Sequence, residues 1–214
     1  MNSRWFWCGV LLVAALGVAS ADVTKPKAQP STASKAAAKP AAQQMDPKAM
    51  EAMMEKIAAP GPQHERFKKL AGDWNLTVKF TFDPSQPMQV TSSTATITTL
   101  MDGRYYQEQS SGEMMGKPFQ GMGLTGYDNV LKKYESVWID NAGTGIMHSE
   151  GTADASGNVV NWIANESDPM TGKMIKVRMV TRFADDNHYT FEMYMKDPAG
   201  KEYKSMEIAY ERKM

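Results

Sequence analysis

The chain has 214 residues with 24 basic and 24 acidic side chains, three histidines and one cysteine. Balanced charge without a basic stripe argues against a nucleic-acid binder. The lone cysteine, Cys8, lies in an N-terminal apolar run, so the rest of the chain has no disulfide, thiolate metal site or thiol nucleophile.

Arg4, the apolar run Trp5 to Val18 and the Ala19-Ser20-Ala21 end together predict a secretory signal peptide cut after Ala21, and with it a periplasmic or secreted protein. The run falls short of the roughly 18 apolar residues of a membrane span, and no later segment reaches that length, so the chain is not expected to span a membrane. Cys8 follows Trp7 rather than a small residue, which argues against a lipoprotein site. Residues 22–44 hold only Ala, Lys, Pro, Ser, Thr and Gln apart from Asp22 and Val23. Too little apolar area is present to offset an ordering cost of roughly 1–2 kcal/mol per residue, so the segment reads as a disordered linker. Its four lysines could touch an anionic envelope surface; a solvated spacer is the simpler reading. Removing Arg4, those four lysines and Asp22 leaves 19 bases against 23 acids over residues 45–214.

Residues 45–214 are long enough for one domain. Asp46 as N-cap, Pro47 at the first turn and the stop at Pro60-Gly61-Pro62 predict a helix over 47–58, with Met50, Met53, Met54 and Ile57 on one face. A short helix at 63–70 carries Phe67 and Leu70 in register. After Gly72 the period changes to two: Trp74, Leu76, Val78, Phe80 and Phe82 alternate with polar residues. Similar alternation marks strands at about 91–101, 104–111, 119–127, 134–140, 145–153, 158–165, 174–183, 189–196 and 203–212, with turn-forming residues between them. Short connections and no intervening helices predict a mainly β fold, an antiparallel up-and-down barrel of eight to ten strands behind one or two N-terminal helices. Closure removes the edges that so many strands would otherwise expose.

Phe119 to Asn129 reads FQGMGLTGYDN, a literal G-x-G-x-x-G. The dinucleotide fingerprint needs a helix after its third glycine, and here Tyr127-Asp128-Asn129 leads into another alternating segment. Gly121 and Gly123 therefore read as a barrel bend or a seat for the N-terminal helix.

The run EMMGKPFQGMGLTGYDNVLKKYESVWID, the preceding MDGRYY, the LAGDW opening and the later DPMTGK resemble the bacterial domain-of-unknown-function family 1579 over roughly residues 64–212. The resemblance implies a calycin-like barrel and no established activity. In lipocalin-like barrels a G-x-W on the first strand lays its indole across the closed end beneath a late Arg or Lys. Gly72 and Trp74 match the first part, and Arg212, by strand parity, is the candidate for the second.

If Trp74 faces inward, so do Phe80 and Phe82. Ile97, Met147, Val177, Met179, Phe191 and Met193 join them as candidate cavity residues, with Thr99 and Ser149 as scattered polar points. That mixture suits a pocket for a small apolar or amphipathic molecule, and it suits a fully packed core nearly as well. Other chemistry is sparse. His64-Glu65 lacks the second histidine of H-E-x-x-H, and His148 with Glu150 lacks further ligands. The methionine clusters at Met50/Met53/Met54 and Met114/Met115/Met122 suit flexible packing better than copper. No cofactor, metal or catalytic residue is expected. Three classes of function stay open: a barrel that binds a small molecule with the N-terminal helix as lid or plug; an envelope interaction module presenting Tyr105, Tyr127 and Trp138; and an enzyme using interior acids among Glu108, Glu150 and Glu166.

Overall fold

The computed structural model describes residues 46–168 and 171–214. The expected signal peptide and linker lie outside the described residues. Two helices, α1 (Pro47–Ala58) and α2 (Pro62–Leu70), precede ten strands: β1 (Gly72–Phe80), β2 (Gln89–Leu100), β3 (Tyr105–Met114), β4 (Lys117–Asp128), β5 (Lys133–Asp140), β6 (Met147–Ala153), β7 (Val159–Ser167), β8 (Met174–Phe183), β9 (His188–Lys196) and β10 (Glu202–Arg212). Each strand pairs antiparallel with its sequence neighbours. β1 then pairs with β10, from Trp74 opposite Arg212 to Phe80 opposite Met206, and closes the barrel. An irregularity between Lys204 and Met206 shifts the β9–β10 register near one rim.

Strand bounds follow the period-two pattern, because one face of every strand meets the axis and the other meets water. Phe82 departs from the expectation. Pairing along β1 ends at Phe80, where the Thr81 hydroxyl donates to the Asp83 carbonyl at 2.7 Å and Asp83 Oδ1 accepts the Ser85 amide at 2.9 Å. This turn breaks the alternation, and Phe82 leaves the interior 68% exposed, its ring edge-on to that of Phe80.

α2 plugs the end at which β1 begins. His64, Phe67 and Leu70 are its buried residues, and Phe67 packs edge-on to Tyr106 and Tyr134. The Gly61 amide donates to His64 Nδ1 at 2.9 Å, tying the first turn together. α1 buries no residue, so the plug expected of the N-terminal helix falls to α2. Asn129 Nδ2 fastens α1 by donating to the carbonyls of Ile57 and Ala59 at 2.8 and 2.9 Å.

The expected closure pair is present. Trp74 is wholly buried and its Nε1 donates to the Leu70 carbonyl at 3.0 Å. Burying an indole is worth roughly 4–6 kcal/mol at about 25 cal/mol per Å². The Arg212 guanidinium lies 4.3 Å from the Trp74 ring centroid and donates to the carbonyls of Lys69, Ala71 and Asp186. It thus satisfies carbonyls at the C-terminus of α2 that have no partner within the helix. Gly72 has φ +132°, and a Cβ there would stand 2.7 Å from Arg212 Nη1.

Candidate functional site: the barrel hollow

Parity separates a packed half from an open half. Towards α2 and at mid-barrel Trp74, Ala95, Ile97, Val160, Ala164, Val177 and Met179 are all buried, while Thr99, Tyr106, Tyr127 and Phe183, beside the plug, keep partial exposure. Towards the other end, Val78, Phe191, Met193, Met195, Met206 and Ile208 share the inward face yet are only half-buried. Away from the plug, surface that stays open on an axis-facing side chain is surface of the hollow itself. The barrel is therefore a cup, floored by the α2 plug and its aromatic cluster.

The expected cavity residues divide along that line. Phe191, Met193 and Met147 face the cup. Thr99 also faces inward, and Ser149 is buried with its hydroxyl 3.5 Å from the Ser136 carbonyl. Ile97, Val177 and Met179 belong to the sealed core, Phe80 is buried, and Phe82 faces outward. The structure brings Met147, Phe191 and Met193 onto the wall away from the plug, while Thr99 lies at the α2 end beside Tyr106.

Trp138 was expected on the outside and points inward. It shares parity with buried Tyr134, and its Nε1 donates to Asp140 Oδ2 at 2.8 Å. Room for it comes from the two-apart glycines of β4: a Cβ on Gly121 would lie 2.3 Å from the Trp138 ring, and one on Gly123 would lie 3.1 Å away. Gly-x-Gly thus seats an indole on the neighbouring strand, neither bending around a phosphate nor seating a helix. Tyr127 is likewise drawn in, edge-on to His64 and Tyr134. Of the three aromatics expected to face a partner, only Tyr105 is exposed.

A polar constellation sits deeper in the cup. Glu108, two residues from Tyr106 and from buried Ser110 on the inward face of β3, accepts at Oε1 from Ser110 Oγ and from the Tyr210 hydroxyl, both at 2.9 Å. Tyr210 makes that bond across the interior, since β1 and β2 lie between β10 and β3 in the wall. Tyr189 stacks on Tyr210 with centroids 4.1 Å apart. Desolvation raises the Glu108 carboxyl above the usual carboxylate range, against the lowering effect of its two donors. Desolvation is also the first cause raising the phenols of Tyr106, Tyr189 and Tyr210, with the Glu108 charge adding to it in each. Glu108 was among the interior acids expected; its tyrosine partners left no sequence signal.

Of the other acids considered, Glu166 faces inward near the open end, where desolvation and then the charge of Asp140 raise its carboxyl. Glu150 lies outside, paired with Lys133 at 2.8 Å, because β6 turns His148 and Glu150 away from the axis. Both line an open outer groove of about 680 Å³ shared with Ile57, Tyr105, Leu124 and Asn165. Among the described residues no group of three or more His, Cys, Asp or Glu is arranged to hold a metal ion, and no helix is long and apolar enough to cross a membrane.

Fold and interior together define a closed antiparallel meander barrel, plugged at one end by a helix and open at the other. Residues 59–212 match the family model described as a protein of unknown function, DUF1579, and the chain belongs to that family. Among solved structures, it is similar to Rv2717c from M. tuberculosis, with 14% identity and a TM-score of 0.53 over 73% of this chain and all of the other. That likeness supports the barrel fold. A redesigned β-barrel aligns over 70% of this chain and 96% of its own, at 12% identity and a TM-score of 0.38. No curated protein matches the chain.

Proposed function

We propose that this protein binds a small, largely apolar molecule inside the barrel, admitted at the end opposite α2. The observation that carries the reading is the half-buried state of inward-facing Val78, Phe191, Met193 and Ile208, apolar side chains with open surface that only the hollow provides. Pockets of this kind combine apolar walls with a few placed polar groups, and Glu108, Ser110 and Tyr210 supply them here. Methionines on the wall adapt their shape to more than one ligand. Native purification followed by denaturing extraction and mass spectrometry tests the reading: a small molecule released in near-stoichiometric amount is expected. Protein that emerges empty and takes up no apolar probe would overturn it.

We also propose that the chain is exported, on the strength of Arg4, the Trp5 to Val18 run and Ala19-Ser20-Ala21. N-terminal sequencing of the mature protein is then expected to begin at Asp22. Retention of residues 1–21 in the mature chain would refute it.

A further inference from the structure

Charge inside the cup is one-sided. Glu108, Asp140 and Glu166 face the axis, whereas among the described residues the strand bases of inward parity are Lys117, exposed at the rim of β4, and Arg212, which is committed to Trp74 and the carbonyls at the plug. The two Asp140 oxygens are engaged, Oδ2 by Trp138 Nε1 and Oδ1 by the Ala142 amide. Glu108 is not fully engaged. Both of its donors go to Oε1, and no hydrogen bond to Oε2 is made by the described residues. Because no fully buried side-chain nitrogen or oxygen among the described residues lacks a partner, Oε2 must lie on open surface, and for an axis-facing residue that surface is the hollow. The titratable groups facing Glu108 are Tyr106 on its own strand, Tyr189 on β9 and Tyr210 on β10, all held neutral, and none supplies a positive charge. Tyr106, Phe191 and Ile208 pack against the cluster that contains Tyr189 and Tyr210, the tyrosine whose hydroxyl reaches the carboxyl.

Building on the ligand-binding reading above, we infer that the hollow takes a hydrophobic organic cation, an alkyl or aryl amine whose ammonium group meets Glu108 Oε2 and the neighbouring aromatic faces. An ammonium supplies both things the site lacks, a donor for the uncommitted oxygen and a charge opposite to a carboxylate that is costly to bury alone. Tyrosine and phenylalanine faces add cation–π attraction, and the inward acids Asp140 and Glu166 favour cations over anions on the way in. The same field disfavours fatty-acid-like anions, which would bring a second carboxylate beside Glu108. The Ser110 and Tyr210 hydroxyls fix Oε1, leaving Oε2 as the reader of the ligand.

Three probes of equal chain length separate charge from apolar fit: octylamine, octanol and octanoate, each titrated calorimetrically into the full chain at pH 8. Octylamine is expected to bind at least about tenfold tighter than octanol, with octanoate weakest. Glu108→Gln is expected to bring octylamine to within about threefold of octanol while leaving octanol nearly unchanged. If that variant does not melt cooperatively, the wild type decides through pH: octylamine affinity should fall on acidification to pH 4 as Glu108 takes up a proton, and octanol affinity should not. Equal affinity for amine and alcohol, tightest binding of octanoate, or pH-independent amine binding would each overturn the inference while leaving the hollow as a binding site. Failure of all three probes to bind would instead count against the hollow itself.

Discussion

Replacing Arg212 with methionine tests the closure of the barrel, because it keeps most of the side chain's volume and removes only the guanidinium. Three losses can be estimated. The cation over a fully buried Trp74 ring, 4.3 Å away, contributes about 1–2 kcal/mol. The part-buried bond to the Ala71 carbonyl at 2.8 Å adds about 1 kcal/mol. Bonds to Lys69, Asp186 and Asn187 are exposed and screened, and together add about half a kcal/mol. A total near 3 kcal/mol, at about 2–4 °C per kcal/mol for a domain of this size, lowers Tm by about 6–12 °C. Arg212→Lys keeps the charge but loses the flat fork that stacks and reaches several carbonyls at once, so it should recover less than half of the loss. Melts of the three proteins by circular dichroism decide the matter. A drop below about 2 °C for Arg212→Met, or full recovery by lysine, would refute the role assigned to the guanidinium.

Gly121→Ala is expected to cost about 1–3 kcal/mol by chemical denaturation, because its Cβ would lie 2.3 Å from the Trp138 ring. Trp138→Leu in the same chain should relieve part of that cost, with a coupling above about 0.5 kcal/mol; strict additivity would contradict the seat. Phe82→Ser should change stability by no more than about 0.5 kcal/mol, since the ring is largely in water, and a loss above 2 kcal/mol would return Phe82 to the core. His64 should make stability depend on pH. Burial, and to a lesser degree the charge of Arg104, lowers its folded pKa below 6.5, so the unfolded chain binds the proton more readily. Its contribution is present above pH 6.5 and is lost as pH falls through the depressed folded value. Urea midpoints measured from pH 7.5 down to 5 should fall for wild type and flatten in that window for His64→Gln; parallel curves would show that His64 is not the group responsible.

Much of the barrel was legible because period-two alternation is a direct consequence of one wet and one buried face. β8 falls on the residues its alternation marked, and the Trp74–Arg212 pair follows from parity on β1 and β10 once closure is assumed. Phe82 was misplaced because alternation continues through it while the β1 ladder ends at Phe80 and its last backbone bond to β10, from the Thr81 amide to the Ser205 carbonyl, comes one residue later, where hydrogen bonds around Thr81 and Asp83 turn the chain. Trp138 was ambiguous for a different reason: β5 alternates Tyr134, Ser136 and Trp138 with Val137 and Ile139, so both faces carry apolar side chains and the pattern cannot choose between them. The glycines of β4 held the answer, but only once β5 was known to pair with β4 so that Gly123 stands opposite Trp138. Tyr210 and Glu108 are 102 residues apart and meet across the lumen, a contact that no local pattern encodes. The cup was equally hidden, because the same alternating apolar face serves a packed core or a lined cavity, and only the degree of burial at Phe191, Met193 and Ile208 separates the two.

The most direct test is an equilibrium titration of the apolar fluorophore N-phenyl-1-naphthylamine into wild type and into Met193→Trp, which pushes an indole into the cup from a half-buried inward position. Saturable enhancement at one probe per chain in wild type, reduced at least about tenfold in affinity in a variant that still melts cooperatively, is the expected result. Equal enhancement in both proteins, or none in wild type, would show that the interior is not where this barrel receives its ligand.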